Sequence, residues 1–207
     1  MSTDLAKTYD RIAEDWYKDH QSDDWRIAGT KEFLFRLPKE GHVLDVGCES
    51  GIKSHYMLKR RFRVTGIDIS SGLLEIARRE SPEGDFHQLS MTELDALTQT
   101  YDGVFAQASL LHIPRKDASG VVKAMARCAN NRGSVYLAVK EAREGKPEEE
   151  VAAENDYGYE YERFFSYFTM AELETFMTEA GLQVVWDSRN PSPSGKTVWL
   201  QIIGQKC

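Results

Sequence analysis

Val43-Leu-Asp-Val-Gly-Cys-Glu-Ser-Gly51 is the stretch that decides the fold. It opens as a mostly apolar run with one acid in it, then turns glycine-containing. The pattern predicts a buried strand over 42–46, a loop, and a helix over 52–59. A loop of this kind lets a ligand approach the backbone closely at a helix N-terminus. Asp45 stands near the strand's end. A cradle for phosphates would not favour a carboxylate there, whereas a cationic or hydroxyl-rich ligand would, because an ionised carboxylate only accepts hydrogen bonds.

Downstream, β-rich runs alternate with helical patterns, as in a parallel sheet with crossover helices. Strands are expected over 63–67, 85–89, 103–106 and 134–139. Helices are expected over 72–79, with Ser70 or Ser71 as cap, and over 118–128. A further helix runs to Ala180 and opens on the capping-box pattern Thr169-Met-Ala-Glu172, with Gly181 as terminator. Two closing strands, 182–187 and 197–203, flank the turn-rich Pro191-Ser-Pro-Ser-Gly195, so one of them should run against the rest of the sheet.

A second acid, Asp68, closes Val64-Thr-Gly-Ile-Asp68 about 20 residues after the loop. An acid at that strand end is where a ribose diol is held. Spacing alone therefore points to an adenosine-type ligand.

The order Asp45-x-Gly47-x-x-x-Gly51, then Gly66-Ile-Asp68-Ile-Ser70, then Tyr101-Asp-Gly-Val-Phe-Ala-Gln-Ala-Ser-Leu-Leu-His-Ile-Pro114 resembles class I S-adenosylmethionine-dependent methyltransferases. The resemblance runs from Tyr9-Asp-Arg-Ile-Ala-Glu14 to the C-terminal strands. It implies an α/β, Rossmann-like, doubly wound and mostly parallel seven-stranded sheet with a reversed C-terminal strand. It also implies S-adenosyl-L-methionine as cofactor. The loop from Asp45 through Gly47 to Gly51 would cradle its methionine and ribose, and Asp68 would hold the ribose hydroxyls. Ile69, Ser90 and Met91 would surround the adenine, and Gln107 would face the methionine end. Tyr17 and Arg26 are the candidates to close over the cofactor, with Arg26 pairing its carboxylate. His112 is the candidate general base.

Two positions depart from the family pattern. Glu49 stands where a glycine is usual, and Ser90 where an acid is often found. Both favour the rival reading, a non-catalytic cofactor-binding or regulatory module on the same fold. A nicotinamide-dependent oxidoreductase would want Gly-x-Gly-x-x-Gly, but from Gly47 the second and third glycines are replaced by Glu49 and Ile52.

Composition sets the outer limits. The 207 residues suit a single domain, 1–207, with a helical cap over about 1–37 and a lid-like insertion over about 140–168. A net charge of −7 repels phosphate backbones, which argues against nucleic acid as partner and leaves a small-molecule methyl acceptor. No stretch approaches the roughly 20 apolar residues needed to span a bilayer. The cysteines at 48, 128 and 207 lack metal-ligand spacing, and a reducing cytoplasm is their simplest home. Nothing in the sequence fixes the oligomeric state. Within the insertion, Glu148 to Glu150 reads as a solvated face, the aromatics from Tyr157 to Phe168 as packing, and Arg163 as a surface ion-pair residue.

Overall fold

Val43, Leu44 and Val46 have no exposed surface, as a strand covered on both faces requires. They belong to β1 (His42–Val46) at the middle of the sheet. The computed structural model of the chain describes residues 4–21, 27–192 and 195–207. Beside β1 lie β2 (Arg63–Asp68) and β4 (Tyr101–Gln107), both parallel to it. β3 (Asp85–Gln88) and β5 (Ala129–Lys140) extend the sheet in the same sense.

Two later strands complete it: β8 (Leu182–Pro191) and β9 (Val198–Lys206). The order is β3-β2-β1-β4-β5-β9-β8, and β9 runs antiparallel to both neighbours. This is the expected seven-stranded sheet with a reversed C-terminal strand.

Alternation along the strands sends apolar side chains to both faces. Leu44, Val104, Val135 and Leu137 pack with α5 (Arg115–Cys128) and α6 (Met170–Glu179). Val43, Phe105, Tyr136 and Ala138 pack with α2 (Ile27–Phe35) and α3 (Ile52–Leu58). Helices on both faces make the sheet doubly wound. The remaining helices, α1 (Leu5–His20) and α4 (Ser71–Glu80), share an apolar contact through Tyr9, Ile12, Ala13, Leu73 and Ile76. Thr169 and Glu172 form the expected capping box, and Ser70 caps α4. Among the described residues no helix is long and apolar enough to cross a membrane.

The insertion departs from expectation. It contains an antiparallel pair, β6 (Glu149–Glu154) and β7 (Tyr161–Ser166), separate from the main sheet. Tyr161, Arg163 and Phe165 alternate inward, so the aromatic run packs the hairpin down on α1 and the core. The glutamates are exposed, as a solvated face requires, and they make surface contacts. Glu148 pairs with the Arg115 guanidinium, Glu149 accepts from the Arg115 backbone N–H, and Glu150 accepts from the Tyr167 hydroxyl. Arg115 also pairs with Glu172, tying the hairpin's base to α5 and α6. Arg163 does form an ion pair, with Glu154, but it is 9% exposed and lies inside rather than on the surface.

Candidate active site

In a doubly wound sheet the crevice opens at the strands' C-terminal ends, where the strand order reverses, here between β1 and β4. Asp45 is the penultimate residue of β1, and Asp68 and Gln107 are the last residues of β2 and β4. The loop leaving β1 is pinned to its neighbour: the N–H groups of Gly47 and Cys48 both donate to the Ile67 carbonyl. Gly47 has φ +72°, and a Cβ there would stand 2.4 Å from the Ser109 Cβ, so only glycine fits. Asp68 holds the loop from the other side, its two oxygens accepting from the backbone N–H groups of Glu49 and Ser70 at 2.9 Å each.

Glu49 keeps the left-handed backbone of the glycine it replaces, with φ +58°. Such a conformation costs a side-chain-bearing residue roughly 1–2 kcal/mol. Glu49→Gly is therefore expected to raise the thermal midpoint by about 2–4 °C, as about 1 kcal/mol does for a chain of this size. A midpoint that stays put or falls would show that Glu49 sits there without strain.

Two adjoining cavities occupy the crevice. One, of about 120 Å³ and mostly apolar, is lined by Asp68, Ile69, Leu89, Ser90, Met91 and His112 among others. The second, of about 80 Å³, is lined by Asp45, Glu49, Lys53, Gln107, Trp16 and His20 among others. Tyr9 and Ala108 line both. An apolar slot beside an acid suits adenine next to ribose, and an acid-lined chamber suits an α-ammonium. Trp16 Nε1, in the lining of the second cavity, is buried without a hydrogen-bond partner among the described residues, as expected where a polar ligand completes the set.

Electrostatics sharpen this. Burial pushes the Asp45 carboxyl up to about 7, opposed by the Ser54 hydroxyl that donates to it at 2.6 Å and reinforced by the Asp68 charge. Asp68 is also raised by burial, against the backbone N–H groups that favour its ionised form. Perturbed acids in a crevice mark a ligand site.

His112, the candidate base, is held at both ring nitrogens. Its Nδ1 lies 2.6 Å from the Phe164 carbonyl and its Nε2 2.8 Å from the Tyr9 hydroxyl. The carbonyl can only accept, so Nδ1 carries the proton and Nε2 accepts from Tyr9. Burial lowers the ring to about 3, helped by Arg163 and Lys140, so it stays neutral. Both ring nitrogens are thus engaged, Nε2 with the Tyr9 hydroxyl that lies beside the crevice.

The predicted residues separate as follows. Asp45 and Gln107 line one cavity; Gly47, Asp68, Ile69, Ser90 and Met91 line the other. Gly51, at φ +81°, starts α3 and faces an outer groove. Tyr17 lies in that groove with His55 and Glu80, and Ile52 lines both the groove and the crevice. Arg26 falls outside the described residues. Tyr9, on the same helix, lines both cavities. It is steered there by its neighbour Asp10, whose carboxylate accepts from Ser70 Oγ at 2.7 Å and Gly72 N–H at 2.9 Å and so locks α1 onto the start of α4. The signal for Tyr9 was present: Tyr9, Ile12, Ala13 and Trp16 share one helical face.

Comparison with known proteins agrees with this architecture. The chain belongs to a methyltransferase-domain family, whose model matches residues 17–186. It is similar to a ubiquinone biosynthesis O-methyltransferase of Methylocella silvestris, 26% identical over 65% of this chain and 62% of that protein. A second such enzyme, from Sodalis glossinidius, is 34% identical over 46% of this chain and 40% of that protein. The chain thus spans less than two thirds of the length of these relatives. Two solved structures share its fold. The Burkholderia thailandensis 1,6-didemethyltoxoflavin-N1-methyltransferase with bound S-adenosylhomocysteine has a TM-score of 0.73 at 21% identity, over 98% of this chain and 87% of that one. The Synechocystis magnesium protoporphyrin IX methyltransferase with bound S-adenosylhomocysteine has 0.73 at 16%, over 98% of each chain. The fold is that of S-adenosylmethionine-dependent methyltransferases.

Proposed function

We propose that this chain transfers the methyl group of S-adenosylmethionine to a small-molecule nucleophile. The observation that carries this is the convergence of Asp45, Asp68 and Gln107, at the ends of three neighbouring strands, on two joined cavities of matching chemistry. Asp68 would hold the ribose diol, and Ile69, Ser90 and Met91 would enclose the adenine. Asp45 and Gln107 would receive the methionine end, and Arg26 its carboxylate. When bound, the cofactor supplies an electrophilic methyl group on a sulfonium. The residues around it bind and orient the partners and exclude water, so rate enhancement comes mainly from proximity and alignment. The relatives' names, all small-molecule methyltransferases, favour an acceptor of that size.

Titration calorimetry with S-adenosylmethionine, S-adenosylhomocysteine and NAD tests the cofactor. Binding of the two sulfur compounds alone is expected, and binding of NAD instead would overturn the reading. A methyl-label screen of phenols, amines and carboxylic acids then tests the acceptor; transfer confined to protein or RNA would remove the small-molecule claim. Strain at Glu49 favours the rival, a cofactor-binding module without turnover, and binding with no transfer to any acceptor would select it.

A further inference from the structure

Tyr9 is the one hydroxyl-bearing residue, among the described residues, that lines both cavities. If adenosine fills one and methionine the other, the sulfur that joins them sits beside this side chain. The hydroxyl is held from two sides. Its O–H donates to His112 Nε2 at 2.8 Å, a direction fixed because the other ring nitrogen donates to the Phe164 carbonyl. Its oxygen accepts from Arg163 Nη1 at 3.3 Å. Arg163 is itself clamped by Glu154 through Nε at 2.5 Å and Nη2 at 2.6 Å, and its guanidinium lies 4.8 Å from the Trp16 ring centre. The Arg163–Glu154 pair is neutral as a unit, so it adds little net positive charge to the crevice.

This arrangement removes the hydroxyl's freedom. A tyrosine beside a cation could turn its proton inward and repel it. Here the proton is committed to a histidine acceptor, so the oxygen keeps a lone pair for its surroundings. A fixed dipole of that sense favours positive charge nearby and costs no reorganisation.

We infer that Tyr9 is a specificity-determining residue that distinguishes the sulfonium of S-adenosylmethionine from the neutral thioether of S-adenosylhomocysteine, and that His112 and Arg163 are positioning residues that hold its oxygen for this task. The inference rests on the cofactor reading above. It gives the hairpin a defined role: β6 and β7 supply Glu154, Arg163 and the Phe164 carbonyl, the outer half of the relay. The binding preference is thereby tied to the hairpin's seating on α1.

The test is the ratio of the two dissociation constants, measured by calorimetry on the full chain and on variants. Tyr9→Phe keeps the ring and removes only the hydroxyl. It is expected to weaken S-adenosylmethionine about tenfold while leaving S-adenosylhomocysteine within about twofold. His112→Leu should produce the same selective loss, because the Tyr9 proton is released from its acceptor. His112→Gln, whose amide oxygen can accept from Tyr9, should restore most of the ratio. A purely structural role would move both ligands together, and equal weakening in Tyr9→Phe, or none, overturns the inference. If the His112 variants fail to fold, Tyr9→Phe alone decides. Wild-type protein that binds neither ligand would sink the cofactor reading itself, whereas binding of both with an unmoved ratio defeats only the role of Tyr9.

Discussion

Replacing Asp68 with alanine is expected to weaken S-adenosylmethionine by at least about 100-fold, to the limit of calorimetric detection. A carboxylate accepting from two ribose hydroxyls forms two charge-assisted bonds, each worth about 1.5–3 kcal/mol, and the lower figure for both already gives two decades. The same side chain also satisfies the N–H groups of Glu49 and Ser70. Its loss would therefore free the loop as well as remove the ligand contact. Asp68→Asn should fall between, since one oxygen remains and the amide N–H₂ faces a backbone donor. The near-ultraviolet circular dichroism spectrum should stay native, because the strand's apolar neighbours are untouched. Affinity within tenfold of wild type in the alanine variant would mean that the ribose is held elsewhere.

Asp45 gives the second large effect, and its two consequences have opposite signs. The carboxyl sits near 3.8 in the unfolded chain and near 7 in the folded one. Between those values the unfolded chain is ionised while the folded one retains its proton. Stability is therefore fully present below about pH 4 and lost as pH rises to about 7, at about 1.4 kcal/mol per pH unit. Asp45→Asn keeps the acceptor for Ser54 and has no charge to bury. At pH 8 the ligand-free variant should exceed wild type by about 2–4 kcal/mol in denaturant unfolding, and at pH 4 the two should coincide. Affinity for S-adenosylmethionine should move the other way. An ammonium binds the ionised acid, so wild-type affinity should fall about tenfold per unit below pH 7 and level off above it until the ligand's own ammonium loses its proton at about pH 8. Asp45→Asn should be weak at every pH and flat. A variant that is neither more stable at pH 8 nor pH-independent in binding would show that Asp45 is not the titrating group.

The crevice was legible because its signals are local. A strand end, a loop and the next strand's acid lie within one βαβ unit, and period and spacing carry them. What escaped depends on contacts between distant segments. Tyr9 and Tyr17 sit on one helix about 80° apart by the 3.6-residue turn. Which of them faces the crevice is decided by Asp10 docking on Ser70 and Gly72, some sixty residues along the chain. Arg163 reads as a surface cation because nothing local announces Glu154 across the hairpin, or Trp16 and Tyr9 against it. That both His112 nitrogens are bonded was not legible, because their partners, Tyr9 and Phe164, come from distant segments. Glu148 to Glu150 are exposed as read, but their partners, Arg115 and Tyr167, come from other elements and were not legible.

The place of β9 bears on how the chain folds. β9 lies between β5 and β8 and pairs with both, yet β8 precedes it in the chain. β8 therefore has no seat in the sheet until β9 has aligned along β5, a pairing such as Ser134 with Gln205 that closes a loop of about seventy residues. Long closures of this kind slow folding. During the delay β5 presents an unpaired edge, and such edges recruit other chains. Refolding yield should accordingly fall with protein concentration, and amide protection should reach β1, β2 and β4 before β8 and β9.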